Sequence, residues 1–337
     1  MVANRLLSER IDAIYCSPLE RAQQTVGVVL EELERWGLFP GVLTDPSLRE
    51  LELPGWEGRT YEAVRIGQSK DLAMFRKSPA SFQLERADGS RVWPVLELEM
   101  RVLTLLDRLV REHPGSNLLL VTHGGPARIL LLAALGLDLN YFHSVQQSHA
   151  GLSLVSVSPG RREISLELLN ETYHSGEFLP KLKEGKSGLR LLFAATDNTI
   201  ANHPGGDAEL AQLLKSLPVH RVLAAGSDGV IMAMRLLRYR GSVTIETCSE
   251  AALQNSLENQ LRRSQSEKPF NLLITGRSDL LTGSLASCLQ SGNGKYPMKI
   301  ALRSGLSVVH IPATNCQPIL QAMNTHQGSC EIAAGVA

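Results

Sequence analysis

Two short stretches place chemistry-bearing side chains where a hydrophobic run turns into a helical pattern. The first is Ser17-Pro18-Leu19-Glu20-Arg21, which follows Ile11–Cys16. The second is His123-Gly124-Gly125, which follows the apolar run Leu118–Val121. A helix N-terminus presents free N–H groups and partial positive charge, so it favours anions. Arg21 in a first turn adds a planar fork suited to phosphate or carboxylate. In open α/β sheets ligands bind outside the carboxyl ends of the strands, where both turns fall. Arg21, His123 and the N–H of Gly124 are therefore candidates to hold an anion. Glu50 and Glu52, ahead of the bend Pro54-Gly55-Trp56, are candidate acids, and Glu57 reads as a surface partner.

The elements that must position these groups follow from periodicity. Ser17 can cap a helix, Pro18 suits its first position and Glu20 completes a capping-box spacing. Leu19, Ala22, Val26, Val29, Leu30 and Leu33 recur at helical spacing, so a helix is predicted over 18–36, ended by Gly37. A second helix is predicted from Leu96 to Glu112, stopped by His113-Pro114-Gly115. Leu118–Val121 reads as a strand buried on both faces, with a helix from Pro126 onward. Residues 151–158 read as another strand, while 37–47 and 65–95 read as loop. Strands alternating with helices predict an α/β layered fold.

Composition narrows the classes. The chain has 337 residues, enough for two ordinary domains, with 43% hydrophobic and 20% charged residues. Lys+Arg and Asp+Glu balance at 34 each, which argues against a generic nucleic-acid or acidic-membrane binder. No apolar stretch is long enough to span a bilayer. The opening residues MVANRLLSERIDAIY lack a signal-peptide core. Cys16, Cys248, Cys288, Cys316 and Cys330 are scattered without CxxC spacing, as expected of reduced thiols in a cytoplasmic protein with no zinc site. No Walker-A or GxGxxG pattern follows a strand, which places a nucleotide-binding protein low. No metal or cofactor is expected, and the oligomeric state is left open.

The pattern begins again after the Lys- and Gly-rich stretch 177–188, which reads as a linker. NLL at 117–119 recurs at 271–273, and GLSLVSV at 151–157 recurs at the same spacing as GLSVVHI at 305–311. Ile11–Ser17 has a plausible partner in Val219–Ala225. The second half thus reads as a shortened copy of the first, which outweighs the alternative of two unrelated α/β domains.

The stretches IDAIYCSPLERAQQT, LRELELPGWEG and LLLVTHGG resemble, in order and wording, the histidine phosphatase family, also called phosphoglycerate-mutase-like. The resemblance covers roughly the first 175 residues. It implies two tandem three-layer α/β/α domains: 1–176, then, beyond the linker, a degenerate copy over 189–326 and a tail at 327–337. It implies a phosphoryl group passing from a small phosphorylated metabolite to a histidine. Arg21 would hold the phosphate, Glu50 would protonate the leaving oxygen, and His123 would steady the phosphoryl oxygens beside Gly124.

The family's nucleophile lies in an Arg-His-Gly segment that occurs nowhere in this sequence. In the second half, residues 189–202 match the family's opening strand, with Thr196 at the histidine position and Asn202 retained. Equal spacing in the first half would put the nucleophile ahead of Met1. The first domain is therefore expected to lack its opening strand, to be unstable by itself, and to be inactive as a phosphatase or mutase. The resemblance would set that strand between those ending at Ser17 and Thr122. In the second copy His123, Gly124 and Gly125 fall on Arg277, Ser278 and Asp279, and Arg21 falls on Gly229, so no chemistry is expected there. The alternative function is a non-catalytic regulator that binds a phosphate ligand.

Overall fold

The computed structural model describes residues 2–158, 163–177, 179–182, 187–196, 206–215, 217–238, 243–263, 269–289, 299–302, 305–313 and 317–325. They form two compact units, Met1–His143 with Ser156–Ile164, and Ser144–Val155 with Ser165–Ser329. The fold is α/β, with mixed sheets. Asn202 and the tail at 327–337 lie outside the described residues, as does part of the stretch 177–188.

In the first unit the chain runs α1 (Val2–Leu6), β1 (Ala13–Cys16), α2 (Glu20–Arg35), β2 (Gly41–Thr44), α3 (Tyr61–Gly67) and α4 (Ser69–Lys77). It continues with β3 (Leu84–Glu85), β4 (Arg91–Val92), α5 (Pro94–Glu112), β5 (Leu118–Val121) and α6 (Gly124–Leu135). All four residues of β1 are buried, as a strand flanked on both edges and covered on both faces requires. It pairs in parallel with β2 and with β5, in the order β2-β1-β5. Tyr15, Leu105 and Leu109 pack with Leu48 beneath this sheet.

Strand β1 pairs directly with β5, with no strand between them among the described residues. Ala13 lies opposite Leu118 and Cys16 opposite Val121. The ladder is extended by Asp12 N–H to Asn117 O at 2.9 Å and Ser17 N–H to Val121 O at 3.0 Å. The two strands are thus bonded directly to each other along their facing edges.

Three local expectations also shift. Helix α2 begins at Glu20 with Leu19 at its N-cap, not at Pro18. Ser17 is committed elsewhere: its carbonyl accepts from Gln23 Nε2 at 2.7 Å and its hydroxyl meets the Leu19 N–H and His123. Glu20 accepts from Gln24 Nε2 and forms no capping box. Helix α6 begins at Gly124, ahead of the predicted Pro126. The stretch 65–95 is largely ordered: Thr60 caps α3 by accepting from the Ala63 N–H at 3.2 Å, and α4 buries Leu72 and Phe75. Phe75 packs on Trp56 and Phe82, with ring centroids 5.7 and 5.1 Å away.

The remaining elements are β6 (Leu152–Val157), β7 (Ile164–Glu171), β8 (Gly188–Thr196), α7 (Gly206–Lys215), β9 (Arg221–Ala225) and α8 (Gly226–Leu237). They are followed by β10 (Thr244–Cys248), α9 (Leu253–Arg263), β11 (Phe270–Arg277), α10 (Ser278–Leu289), β12 (Leu306–Pro312) and β13 (Ile319–Thr325). One eight-stranded sheet runs β10-β9-β11-β8-β12-β13-β7-β6. Strand β8 pairs in parallel with β11 on one edge and antiparallel with β12 on the other. Leu189 and Leu191–Ala195 of β8 are buried, the continuous apolar run of a central strand. Strands β6 and β7, which the sequence groups with the first domain, pair in this larger sheet.

Candidate active site

His123 closes β5 and stands at the N-cap of α6, with extended backbone at φ −119° and ψ 176°. Its side chain is only 8% exposed. Arg21 Nε donates to His123 Nδ1 at 3.1 Å, and His123 Nε2 lies 2.8 Å from Ser17 Oγ. A guanidinium can only donate, so Nδ1 holds a lone pair and the proton of the neutral ring sits on Nε2, directed at Ser17. Burial lowers the His123 pKa, Arg21 and Arg101 lower it further, and Glu50 opposes them. The ring is therefore neutral at physiological pH.

Glu50 reaches the same helix terminus from the loop after β2. Its Oε1 accepts from the N–H of Gly125 at 2.9 Å and from its neighbour Leu51 at 2.8 Å. A free N–H of the first helical turn facing a carboxylate is the interaction that helix polarity favours. Gly125 permits the approach, because a Cβ there would collide with Glu50 Oε1 and sit 3.1 Å from Leu98 Cδ2. Gly124 is roomier, with Glu50 Oε2 at 3.8 Å from the corresponding position. The loop is fixed by Thr122 Oγ1, which donates to Leu48 O at 2.8 Å, and by Arg101, which donates to Glu50 O at 2.9 Å.

The sequence-predicted residues Arg21, Glu50, His123 and Gly124 thus converge on the start of α6. Glu52 and Glu57 do not share these contacts. They line an open cleft with Arg49, Pro54, Arg86 and Asp88, and Glu57 accepts from the Leu53 N–H at 3.4 Å. Ser17 and Arg101 are missed by motif reasoning. Ser17 carries a readable signal as the serine of the same turn, but Arg101 sits inside an ordinary amphipathic helix.

Chemically, the cluster offers a cation, a neutral imidazole donor and helix N–H groups to an anion, with a carboxyl group alongside. Such fixed donors stabilise a transferring phosphoryl group without reorganisation. Among the described residues no group of three His, Cys, Asp or Glu side chains is placed to hold a metal ion. No helix among them is long and apolar enough to cross a membrane.

In the second unit, Arg277 at the end of β11 is bound by Asp279 at 2.7 Å and lies 3.9 Å from Glu250. Asp279 first, then Glu250 and Asp228, raise its pKa.

The chain is similar to a probable 2-carboxy-D-arabinitol-1-phosphatase of Arabidopsis thaliana, 28% identical over 189 residues, covering 55% of this chain and 36% of that protein. It is likewise 28% identical over 178 residues to phosphoserine phosphatase 1 of Hydrogenobacter thermophilus, covering 53% of this chain and 79% of the relative. The chain spans less than half the length of the plant relatives it matches. Among solved structures, Bacillus stearothermophilus YhfR aligns with a TM-score of 0.43 at 25% identity, over 49% of this chain and 78% of that one. Residues 1–172 match the Histidine phosphatase superfamily (branch 1). Through that match, which spans half its length and contains Arg21, Glu50 and His123, the chain belongs to the histidine phosphatase superfamily.

Proposed function

We propose that residues 1–176 form the phosphate-holding and proton-donating part of a phosphatase or phosphoglycerate-mutase-type site for a small phosphorylated metabolite. Arg21, His123 Nε2 and the Gly124 N–H hold the phosphoryl oxygens. In the complete site a histidine nitrogen of an Arg-His-Gly segment, which these residues do not supply, would form the new N–P bond as the P–O bond breaks, while Glu50 gives its proton to the leaving oxygen, which keeps the bonding pair. The observation that carries this reading is the junction of Arg21, His123 and Glu50 at one helix N-terminus. It invokes no metal or cofactor and a cytoplasmic setting.

His123 is not the nucleophile in this arrangement, since one ring nitrogen accepts from Arg21 and the other carries the proton. The nine histidines include none in an Arg-His-Gly context. Met1–Ala337 is accordingly inactive in turnover. That same commitment of His123 favours, as a second reading, a non-catalytic regulator that binds a phosphate ligand.

Residues 189–326 are read as a degenerate copy, joined by the linker 177–188. Supporting this, β9 leads into α8 as β1 leads into α2, and β11 leads into α10 as β5 leads into α6. Gly229, at the position corresponding to Arg21, abuts the Thr275 carbonyl so closely that a side chain would displace β11.

The test is an assay of Met1–Ala337 against p-nitrophenyl phosphate, O-phosphoserine and 3-phosphoglycerate, beside an N-terminally extended chain carrying an Arg-His-Gly strand. The extended chain should turn over substrate and trap a phosphohistidine, and Met1–Ala337 should do neither. A phosphohistidine at His123 of Met1–Ala337 would overturn the assignment.

A further inference from the structure

The carboxylate of Glu50 can serve at the helix terminus only if the loop beneath it is held still. That loop has no regular secondary structure beyond the single turn Pro46–Leu48. Three of its carbonyls point at one side chain. Arg101, half-buried on α5, donates from Nη1 to Pro46 O at 3.3 Å and to Ser47 O at 3.4 Å, and from Nη2 to Glu50 O at 2.9 Å. Two helical turns further on, Arg108 pairs with the buried Asp45, whose Oδ1 accepts from the Ser47 N–H at 2.8 Å. The two arginines lie seven residues apart and so share one face of α5.

We propose that Arg101 is a positioning residue for Glu50, holding its backbone so that the carboxylate meets the Gly125 N–H. The inference rests on the phosphoryl-transfer reading for its purpose and on the loop geometry for its content. The acceptor set calls for an arginine. Three separated carbonyls need donors in a fixed fork, which a guanidinium supplies and a lysine ammonium, as a point charge, does not. Its three hydrogen bonds go to backbone carbonyls, so it acts on the Glu50 position through the loop. Burial lowers the Arg101 pKa while Glu52 and Glu50 raise it, consistent with a cation retained in a partly desolvated place by the acids around it.

A general structural role and a positioning role differ at one amide. In the full chain, the Gly125 amide proton should exchange slowly, and its chemical shift should move in Glu50→Gln. In Arg101→Met, and in Arg101→Gln as a second variant, Gly125 should exchange at least tenfold faster and its shift should no longer respond to adding Glu50→Gln. The β1 amides should stay protected. Either variant keeping Gly125 exchange within twofold of the parent, with its response to Glu50→Gln intact, would overturn the proposal. The unsubstituted protein gives a result that does not depend on either variant folding. The Arg101 Nη–H resonances should be slowly exchanging and should remain so in Glu50→Gln, because the acceptors are carbonyls. A freely rotating Arg101 guanidinium would overturn the proposal directly. Failure of phosphate or vanadate to bind the chain would strike the functional reading and leave these amide signals unchanged.

Discussion

Arg21 donates from Nε to the Nδ1 atom of His123 at 3.1 Å, which joins the turn after β1 to the turn after β5. Because an arginine offers no acceptor, this contact fixes the imidazole as the Nε2–H tautomer and aims its proton at Ser17 Oγ. The ring is thereby prepared as a hydrogen-bond donor rather than as a nucleophile. The 15N spectrum of His123 should show an unprotonated Nδ1 and a protonated Nε2 at pH 8. Arg21→Ala should admit the other tautomer. A protonated Nδ1 in the parent protein would contradict the geometry.

Acid should weaken the first unit through His143. This residue donates to Phe75 O at 3.0 Å and lies edge-on to the rings of Phe75 and Phe142, 4.6 and 5.2 Å from their centroids. Burial first, then Arg128 and Arg76, push its pKa from 6.5 to about 4. The unfolded chain therefore takes up the proton before the native one does. Stability is full above pH 6.5, falls as the pH drops through 6.5 and levels off below about 4. The shift corresponds to at most about 3–4 kcal/mol at ~1.4 kcal/mol per pH unit, with His123 adding in the same direction. Urea unfolding from pH 7.5 to 4 should show this decline, and His143→Gln should flatten it. An equal slope in His143→Gln would assign the acid sensitivity elsewhere.

Adding one methyl group should separate the two glycines of the second turn. A Cβ at Gly125 runs into Glu50 Oε1 and crowds Leu51 Cβ at 3.3 Å, whereas at Gly124 the nearest atom is 3.8 Å away. Gly125→Ala should expel the Glu50 carboxylate and cost about 1–3 kcal/mol, the usual penalty of overpacking. Gly124→Ala should cost under about 1 kcal/mol, since an ordinary van der Waals contact and a helical position suit alanine. Thermal unfolding of the two variants decides the point, and equal losses would show that Glu50 does not occupy this place.

The site was more legible than the scaffold around it. Arg21, Glu50 and His123 lie in the motif stretches that carry the family resemblance, and the structure brings them to one helix terminus. Helix α5 was predicted to within two residues at its start and at its last residue, because its apolar positions repeat cleanly. Strand β2 was invisible, since all four of its residues are exposed and its existence depends on pairing with β1. Helices α3 and α4 were hidden by their shortness and by how few apolar residues they bury. The start of α2 was misplaced because Ser17 serves His123 and the Leu19 N–H, a tertiary demand that a local capping rule does not contain. The role of Arg101 depends on carbonyls some fifty residues upstream, and nothing in its own neighbourhood of sequence signals it.

The most direct test of the central claim is titration of Met1–Ala337 with orthovanadate and with inorganic phosphate, followed by calorimetry and by the His123 resonances. One anion should bind per chain, perturbing His123. Arg21→Ala should weaken binding roughly 10- to 150-fold, the loss expected for about 1.5–3 kcal/mol of charge-assisted hydrogen bonding. Arg277→Ala in the second unit should leave binding unchanged, because its guanidinium is already paired with Asp279. No binding, or binding that survives Arg21→Ala at full strength, would contradict the assignment of the phosphate site to Arg21 and His123.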